Sequence, residues 1–358
     1  LDLNPDRRGD AAELIREETK VKCVVWDLDQ TIWDGILLED KRVTLRGEVL
    51  EVIRKLDERG ILQSIASKND ADAAMAKLEE LGIQEYFLYP QISWGSKSEA
   101  IKNIASLINI NPNTIAFIDD QPFEREEVEF SLPQVRCIAA EDMNLILERA
   151  DMTPRFITED SQLRRSMYMT DRVRKEEEQH FSGTKEEFLA TLNMVFGIYP
   201  AGEGDLQRAE ELTLRTHQLN ATGYTYSYQE LDEFRKSDRH RLWVSELEDK
   251  YGTYGKIGIA LVECSEEVWT LKLLLMSCRV MSRGVGSIML NFIMNEAHKS
   301  GCKLWAEFVE NSVNRMMYIT YKFAGFQEVG KNGDILILEN DLTSIQPFPD
   351  YVKVTCSE

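Results

Sequence analysis

An apolar run, Cys23-Val24-Val25-Trp26, stops on two aspartates one residue apart, Asp27-Leu28-Asp29, followed by Gln30-Thr31-Ile32-Trp33. Buried strands of parallel sheets read as continuous apolar runs. Such sheets place their ligands beyond the carboxyl ends of the strands. Side chains two apart on a strand share a face, so extended geometry predicts Asp27 and Asp29 on the same side. Two carboxylates that close repel unless a cation or a shared proton intervenes. The pattern points to a divalent metal and phosphate chemistry; the plainer alternative is an acidic turn.

The following residues repeat the theme. Val49, Leu50, Ile53 and Leu56 form a helical stripe over 48–59, closed by Gly60 and read as core packing. A second strand, Ile61 to Ser67, ends in Ser67-Lys68-Asn69-Asp70, where Asn69 or Asp70 is also placed to cap the next helix. That helix covers 71–81, and an extended stretch covers 86–92. Trp94-Gly95-Ser96-Lys97-Ser98 then opens a helix over 99–108. A β-rich run, Thr114 to Ile118, ends in Asp119-Asp120. Strands alternating with helices predict a parallel, doubly wound α/β sheet.

In this order, the motifs resemble those of the haloacid dehalogenase (HAD) phosphatases. Asp27-Leu28-Asp29-Gln30-Thr31 is similar to their Asp-x-Asp-x-Thr motif. The resemblance implies that Asp27 is the nucleophile and Asp29 the general acid/base, which also lends its main-chain carbonyl to Mg²⁺. It further implies that Ser67 binds phosphoryl oxygens, with Thr31, Lys68 and Asn69 in the same phosphate-binding group. Lys97 neutralises the nucleophile and the phosphate, although a lysine at a helix start is more often solvated. The resemblance also implies that Asp119 ligates the metal and that Asp120 ligates it or orients its waters, giving a metal set of Asp27, Asp29, Asp119 and Asp120. Hard oxygen ligands suit Mg²⁺ without appeal to the family. The intervals between motifs are too short for a large cap domain.

Length and composition fit two domains: 358 residues, 43% hydrophobic and 29% charged. A net charge of −20 argues against a general nucleic-acid partner. No apolar stretch approaches a membrane span and no signal peptide opens the sequence, so a cytoplasmic chain off the membrane is expected. The sequence begins at Leu1, which suits a piece of a longer protein. Six scattered cysteines contain no Cys-x-x-Cys pair, so reduced thiols are expected rather than a zinc site or disulfides.

The predicted divisions are an α/β domain over 20–150, a helical linker over 151–183 and an α+β domain over 184–345. The linker is basic first (Arg164, Arg165, Arg172, Arg174) and acidic after (Glu176 to Glu178), and reads as a solvated helix or a docking strip for an acidic partner. In the last domain, predicted helices over 205–220 and 228–236 flank His217-Gln218-Leu219-Asn220-Ala221-Thr222. Strands follow over 242–247, 257–262 and 269–276. Then come Cys278-Arg279-Val280-Met281-Ser282-Arg283-Gly284-Val285-Gly286-Ser287, an apolar helix over 288–297, a strand over 304–308 and a helix from Asn314 into Gly325-Phe326.

This half resembles the GNAT acetyltransferases, whose Arg/Gln-x-x-Gly-x-Gly/Ala loop cradles a pyrophosphate on a helix N-terminus. The resemblance places Arg283, Gly284 and Gly286, with Arg279, around a pantetheine-bearing ligand; the loop is a degenerate version of the motif. The pair of domains, covering about 20–345, is similar to the FkbH-like family. That resemblance implies a glyceryl transferase/phosphatase of polyketide biosynthesis. Such an enzyme takes the three-carbon unit of D-1,3-bisphosphoglycerate, removes phosphate and loads a glyceryl thioester on the phosphopantetheine arm of an acyl carrier protein.

An acyl phosphate can be taken directly by a thiolate, whereas the phosphate ester needs the aspartate and Mg²⁺ machinery. Cys278 is the expected thiol and His217 its base; each is also read as structural, a small buried hydrophobe and a packing histidine. Cys23, the rival, lies about 13 Å back along the strand from Asp27 and is expected to be buried. The competing readings are a stand-alone HAD phosphatase acting on a small phosphate ester, with the second half as a lid, and a carrier-protein docking module with vestigial sites.

Overall fold

The computed structural model describes residues 20–40 and 42–357. It divides into two compact units, Leu1–Met169 and Thr170–Glu358.

In the first unit, β1 (Cys23–Trp26) is the central strand. A small antiparallel pair, β2 (Trp33–Asp34) and β3 (Thr44–Leu45), follows it. Next come β4 (Leu62–Ser67), β5 (Gln91–Ile92), β6 (Ile115–Asp119) and β7 (Arg136–Ala139). The sheet order is β5-β4-β1-β6-β7, with every pairing parallel. Alternation along β1 sorts the core. Val24 and Trp26 face the helices Val49–Glu58 and Ala71–Glu80, and Cys23 and Val25 face Lys97–Ile108 and Pro122–Ser131. Helices on both faces make the sheet doubly wound, as the sequence predicts. The order runs outward in opposite directions from β1 and β6, so the topological switch point lies between these two strands.

The segment read as a linker is not one. Met152 is part of the first core, and the buried Asp151 pairs with Arg136 and Arg149. Arg164 donates to the Gly60 carbonyl at 2.8 Å, and Arg165 pairs with Asp57 at 3.0 Å. Gly60 has a φ of +68°, and a Cβ there would come within 2.6 Å of the Ser161 carbonyl. The division between units falls inside the helix Arg164–His180, between Met169 and Thr170. Arg174, read as solvated, is fully buried and pairs with Asp249 in a two-pronged contact at 2.7 and 2.8 Å.

The second unit is built on one eight-stranded sheet. Its strands are β8 (Met194–Pro200), β9 (His240–Asp249), β10 (Gly252–Cys264), β11 (Val268–Met276), β12 (Lys303–Phe308), β13 (Gln327–Asn332), β14 (Ile335–Asn340) and β15 (Val352–Cys356). The order is β13-β14-β12-β11-β10-β9-β8-β15, with β11–β12 and β15–β8 parallel. One face packs on the helix Val285–Lys299, the other on Leu206–Arg215 and Tyr228–Lys236. β15 extends the unit beyond the expected boundary at residue 345. The helix expected over 205–220 ends at Arg215, because residues 219–221 bond instead to the end of β11: Met276 N–H donates to the Leu219 carbonyl and Ala221 N–H to that of Leu274. Among the described residues no helix is long and apolar enough to cross a membrane.

Removing one partner of a buried ion pair strands the other charge, at a cost of about 3–5 kcal/mol. Arg174→Ala leaves Asp249 buried with the Tyr254 hydroxyl as its remaining side-chain donor, at 2.9 Å. The variant is expected to lower the urea midpoint of the second unit correspondingly. An unchanged midpoint would contradict this account of the pair.

Candidate active site

The carboxyl ends of β1 and β6 meet at the switch point, and there the first unit gathers its charge. Asp27 follows β1 directly, and its N–H donates to the Ile118 carbonyl of β6 at 2.9 Å. Asp119 ends β6 and is fully buried. Asp27, Asp119 and Asp120 each offer a carboxylate oxygen within 4.8 Å of the others. Lys97 bridges the first two, with Nζ 2.8 Å from Asp27 Oδ1 and 2.5 Å from Asp119 Oδ2. The helix it opens is capped by Ser96, which accepts from Glu99 N–H.

Burial pushes the Asp27 carboxyl up to about 6, against the pull of Lys97. Burial raises Asp119 as well, and it raises Asp120 together with the charge of Asp27. Burial alone would lower the Lys97 ammonium; the charges of Asp27 and Asp119 outweigh it, and the net shift is upward. Lys97 offsets one of three carboxylate charges, and the cluster is short of cations.

The surrounding polar groups hold the aspartates. Ser67, at the end of β4, hydrogen-bonds Asp27. Thr31 Oγ1 accepts from Asp120 N–H at 3.2 Å. Asp119 Oδ1 accepts from Gln121 N–H at 2.8 Å, and Arg125 donates to the Asp119 carbonyl at 2.7 Å. Asp120 Oδ1 is buried with no hydrogen-bond partner. Orphaned acceptors of this kind are rare, and a cation supplies what Asp120 lacks. Three carboxylates of hard oxygen fit Mg²⁺.

The Asp29 carboxylate stands apart from the group of Asp27, Asp119 and Asp120. The strand stops at Trp26, Leu28 is buried in the core, and Gln30 takes a φ of +54°, so both aspartates lie beyond the strand. Its carboxylate is taken up by Trp33 Nε1, Leu37 N–H and Asn69 Nδ2. What remains for a metal is its main-chain carbonyl, the ligand expected of this residue from the sequence. Lys68 is engaged with Glu124 at 2.7 Å. Asn69 bonds Asp29 rather than capping the next helix, a task that falls to Asp70. Trp33 and Arg125 carry site contacts that the sequence reading did not assign. For Trp33 a signal existed, because a buried indole N–H needs an acceptor.

In the second unit Cys278 stands two residues past the end of β11, in the short turn Cys278–Val280, half-buried against the core. The bond from Met276 N–H to the Leu219 carbonyl ties the segment after His217 to the strand end before Cys278. No disulfide involves any of the six cysteines. Cys23 is fully buried in β1, and burial drives its thiol far upward; Cys137 is pushed up to about 12 for the same reason. Gly284 has a φ of +76° and precedes the helix Val285–Lys299, in whose first turn Gly286 lies. A Cβ on Gly284 would come within 2.5 Å of the Tyr351 hydroxyl.

Arg283, expected at a phosphate, is engaged by carboxylates, with its Nε buried and without a hydrogen-bond partner among the described residues. It is 2% exposed, and its guanidinium faces Glu178 at 3.3 Å and Asp171 at 3.9 Å. A ligand phosphate would have to displace two carboxylates. Arg279 donates to the Tyr254 carbonyl at 2.8 Å.

No family model matches the chain, and no curated protein does. Among solved structures, one match is the N-terminal part of a Bacteroides fragilis protein containing a phosphatase domain complexed with Mg. It is 29% identical with a TM-score of 0.34, and covers 40% of this chain and 42% of that one. A second is the ribosomal-protein-S18-alanine N-acetyltransferase of Escherichia coli, 18% identical with a TM-score of 0.33, covering 40% of this chain and 92% of that one. A third is the spermidine/spermine N-acetyltransferase of Vibrio cholerae, 16% identical with a TM-score of 0.32 and the same two coverages.

The raised Asp27 carboxyl fixes a pH dependence. Between its ordinary value and about 6, the folded chain keeps a proton that the unfolded chain has lost. This contribution to stability therefore falls as pH rises through that window. A cation competes with the same proton. Added Mg²⁺ should thus raise the melting temperature more at pH 7 than at pH 5. Asp120→Asn should weaken Mg²⁺ binding by on the order of 10- to 100-fold and flatten that difference. Equal Mg²⁺ shifts at both pH values would contradict the assignment of these carboxylates.

Proposed function

We propose that the first unit is a Mg²⁺-dependent phosphatase that works through Asp27. The observation that carries this is the group at the switch point made of the buried Asp27 and Asp119, bridged by Lys97, with the half-buried Asp120 beside them. An Asp27 oxygen attacks phosphorus, the bond from phosphorus to the ester oxygen breaks, and Asp29 hands its proton to that leaving oxygen. Water then attacks the aspartyl phosphate, Asp29 takes the proton back, and inorganic phosphate leaves with Asp27 restored. Lys97 stabilises charge on the transferring group, and Ser67 orients Asp27. When bound, Mg²⁺ would polarise a phosphoryl oxygen and screen the carboxylates from the incoming phosphate.

The finer reading follows the FkbH-like resemblance of the motifs. The substrate is 1,3-bisphosphoglycerate, and the second unit takes its acyl group. The Cys278 sulfur attacks the acyl carbonyl, a C–S bond forms, the bond to the acyl phosphate oxygen breaks, and His217 accepts the thiol proton. The glyceryl group then passes to the thiol of an acyl carrier protein's phosphopantetheine arm. The placement of Cys278 beside the strand end bonded to the His217 segment favours this pair. The burial of Cys23 removes its rival.

The chain is to be incubated with 1,3-bisphosphoglycerate, Mg²⁺ and a holo acyl carrier protein, and the products weighed by mass spectrometry. The wild type should place a glyceryl mass on the carrier and release phosphate from the ester. Asp27→Asn should lower ester hydrolysis by at least 10³-fold, in line with loss of a nucleophile (~4 kcal/mol of barrier). Cys278→Ala should abolish the glyceryl mass and leave ester hydrolysis intact. Phosphate release by the wild type without a carrier adduct would reduce the function to a stand-alone phosphatase. Binding of the carrier without turnover would mark a docking module.

A further inference from the structure

The donors around Asp29 distinguish its two oxygens. Oδ1 accepts from Trp33 Nε1 at 2.7 Å and from Leu37 N–H at 3.0 Å. Among the described residues, Oδ2 accepts from Asn69 Nδ2 alone, at 3.0 Å. A carboxylate oxygen has about two lone-pair positions. Oδ1 is therefore filled, while Oδ2 keeps one position open. We infer that Asp29 Oδ2 is the oxygen that carries the transferred proton, and that Trp33 is the positioning residue that sets this orientation.

The supports of the arrangement are themselves fixed. Trp33 is fully buried, and β2 pairs it with Leu45. The Thr31, Ile32 and Trp33 N–H groups all converge on the Leu28 carbonyl, which coils the chain back so that the indole reaches Asp29. Leu37 lies in a loop pinned by Asp40, whose Oδ2 accepts from Ile36 N–H at 2.7 Å. Asn69 is held from the other side, its Oδ1 accepting from Asp70 N–H at 3.0 Å. A buried indole N–H needs an acceptor, and here that need is met by the carboxylate assigned to proton transfer. Without the indole donor, either oxygen of Asp29 could take the loop N–H, and the open position would no longer point one way.

This inference rests on the phosphatase reading, and the leaving group separates the two. An alkyl phosphate needs its departing oxygen protonated, whereas p-nitrophenolate leaves without help. Trp33→Phe keeps the apolar filling and removes the N–H. With Mg²⁺ present, its kcat/KM for glycerol 3-phosphate should fall by about 10- to 100-fold, while that for p-nitrophenyl phosphate stays within about threefold of wild type. Leu37→Pro removes the second donor to the same oxygen at a partly buried loop position on the edge of the core. It should show the same split even if the Trp33 variant fails to fold. A wild type that hydrolyses both esters, with both variants lowering the two rates together or neither rate, overturns the inference alone. A wild type that hydrolyses neither ester overturns the phosphatase reading and this inference with it.

Discussion

Lys97 between Asp27 and Asp119 is the contact on which the first unit's site depends. Neighbouring strands lie about 4.8 Å apart, so two aspartates ending adjacent strands cannot avoid one another. Burial removes the water that would screen them. The ammonium comes from the first position of its helix, where the macrodipole disfavours a cation. It is also buried, with its nitrogen 5.8 Å from the centre of the Phe117 ring. Breaking a local preference this openly is characteristic of functional positions. The helix accommodates it because Ser96 caps the end and two carboxylates receive the charge.

The same arithmetic explains why one lysine is not enough. With Asp120 added, the cluster retains more negative charge than Lys97 can offset, and Asp120 Oδ1 has no donor. A divalent ion answers both deficits at once. In its absence the carboxyls hold protons more tightly than usual, as the upward shifts of Asp27, Asp119 and Asp120 express. The site is therefore arranged for a cation and is costly to leave fully ionised without one.

Much of this unit was legible because apolar runs that end on polar residues mark strand ends. Asp27, Ser67 and Asp119 were placed by that rule, and Lys97 by its order along the chain. The rule fails where a side chain answers to a distant partner. Arg174 sits in a charged stretch of solvated pattern, yet its partner Asp249 lies 75 residues on, and the pair is buried. Arg283 was read as a ligand contact from a local motif, while Asp171 and Glu178 claim it from another helix. β15 was passed over because its register comes from β8, more than 150 residues earlier. For Asp29 a period of two gives no guide, since the strand ends at Trp26, before either aspartate.

The short intervals between motifs bear on how proton transfer can be arranged here. A large cap would exclude water and align acid and substrate on closing. Among the described residues, the intervals Trp33–Gly47 and Asn69–Ser96 hold only the small β2–β3 pair and one αβ unit. Alignment must then come from fixed local donors, present before substrate arrives. Trp33 and Leu37 come from the segment around β2, and Asn69 comes from the end of β4. Asp29 thus joins the small pair to the main sheet through three hydrogen bonds. On the proposed role of Asp29 as the acid, these three donors hold its carboxylate in place before substrate arrives, apart from the group of Asp27, Asp119 and Asp120.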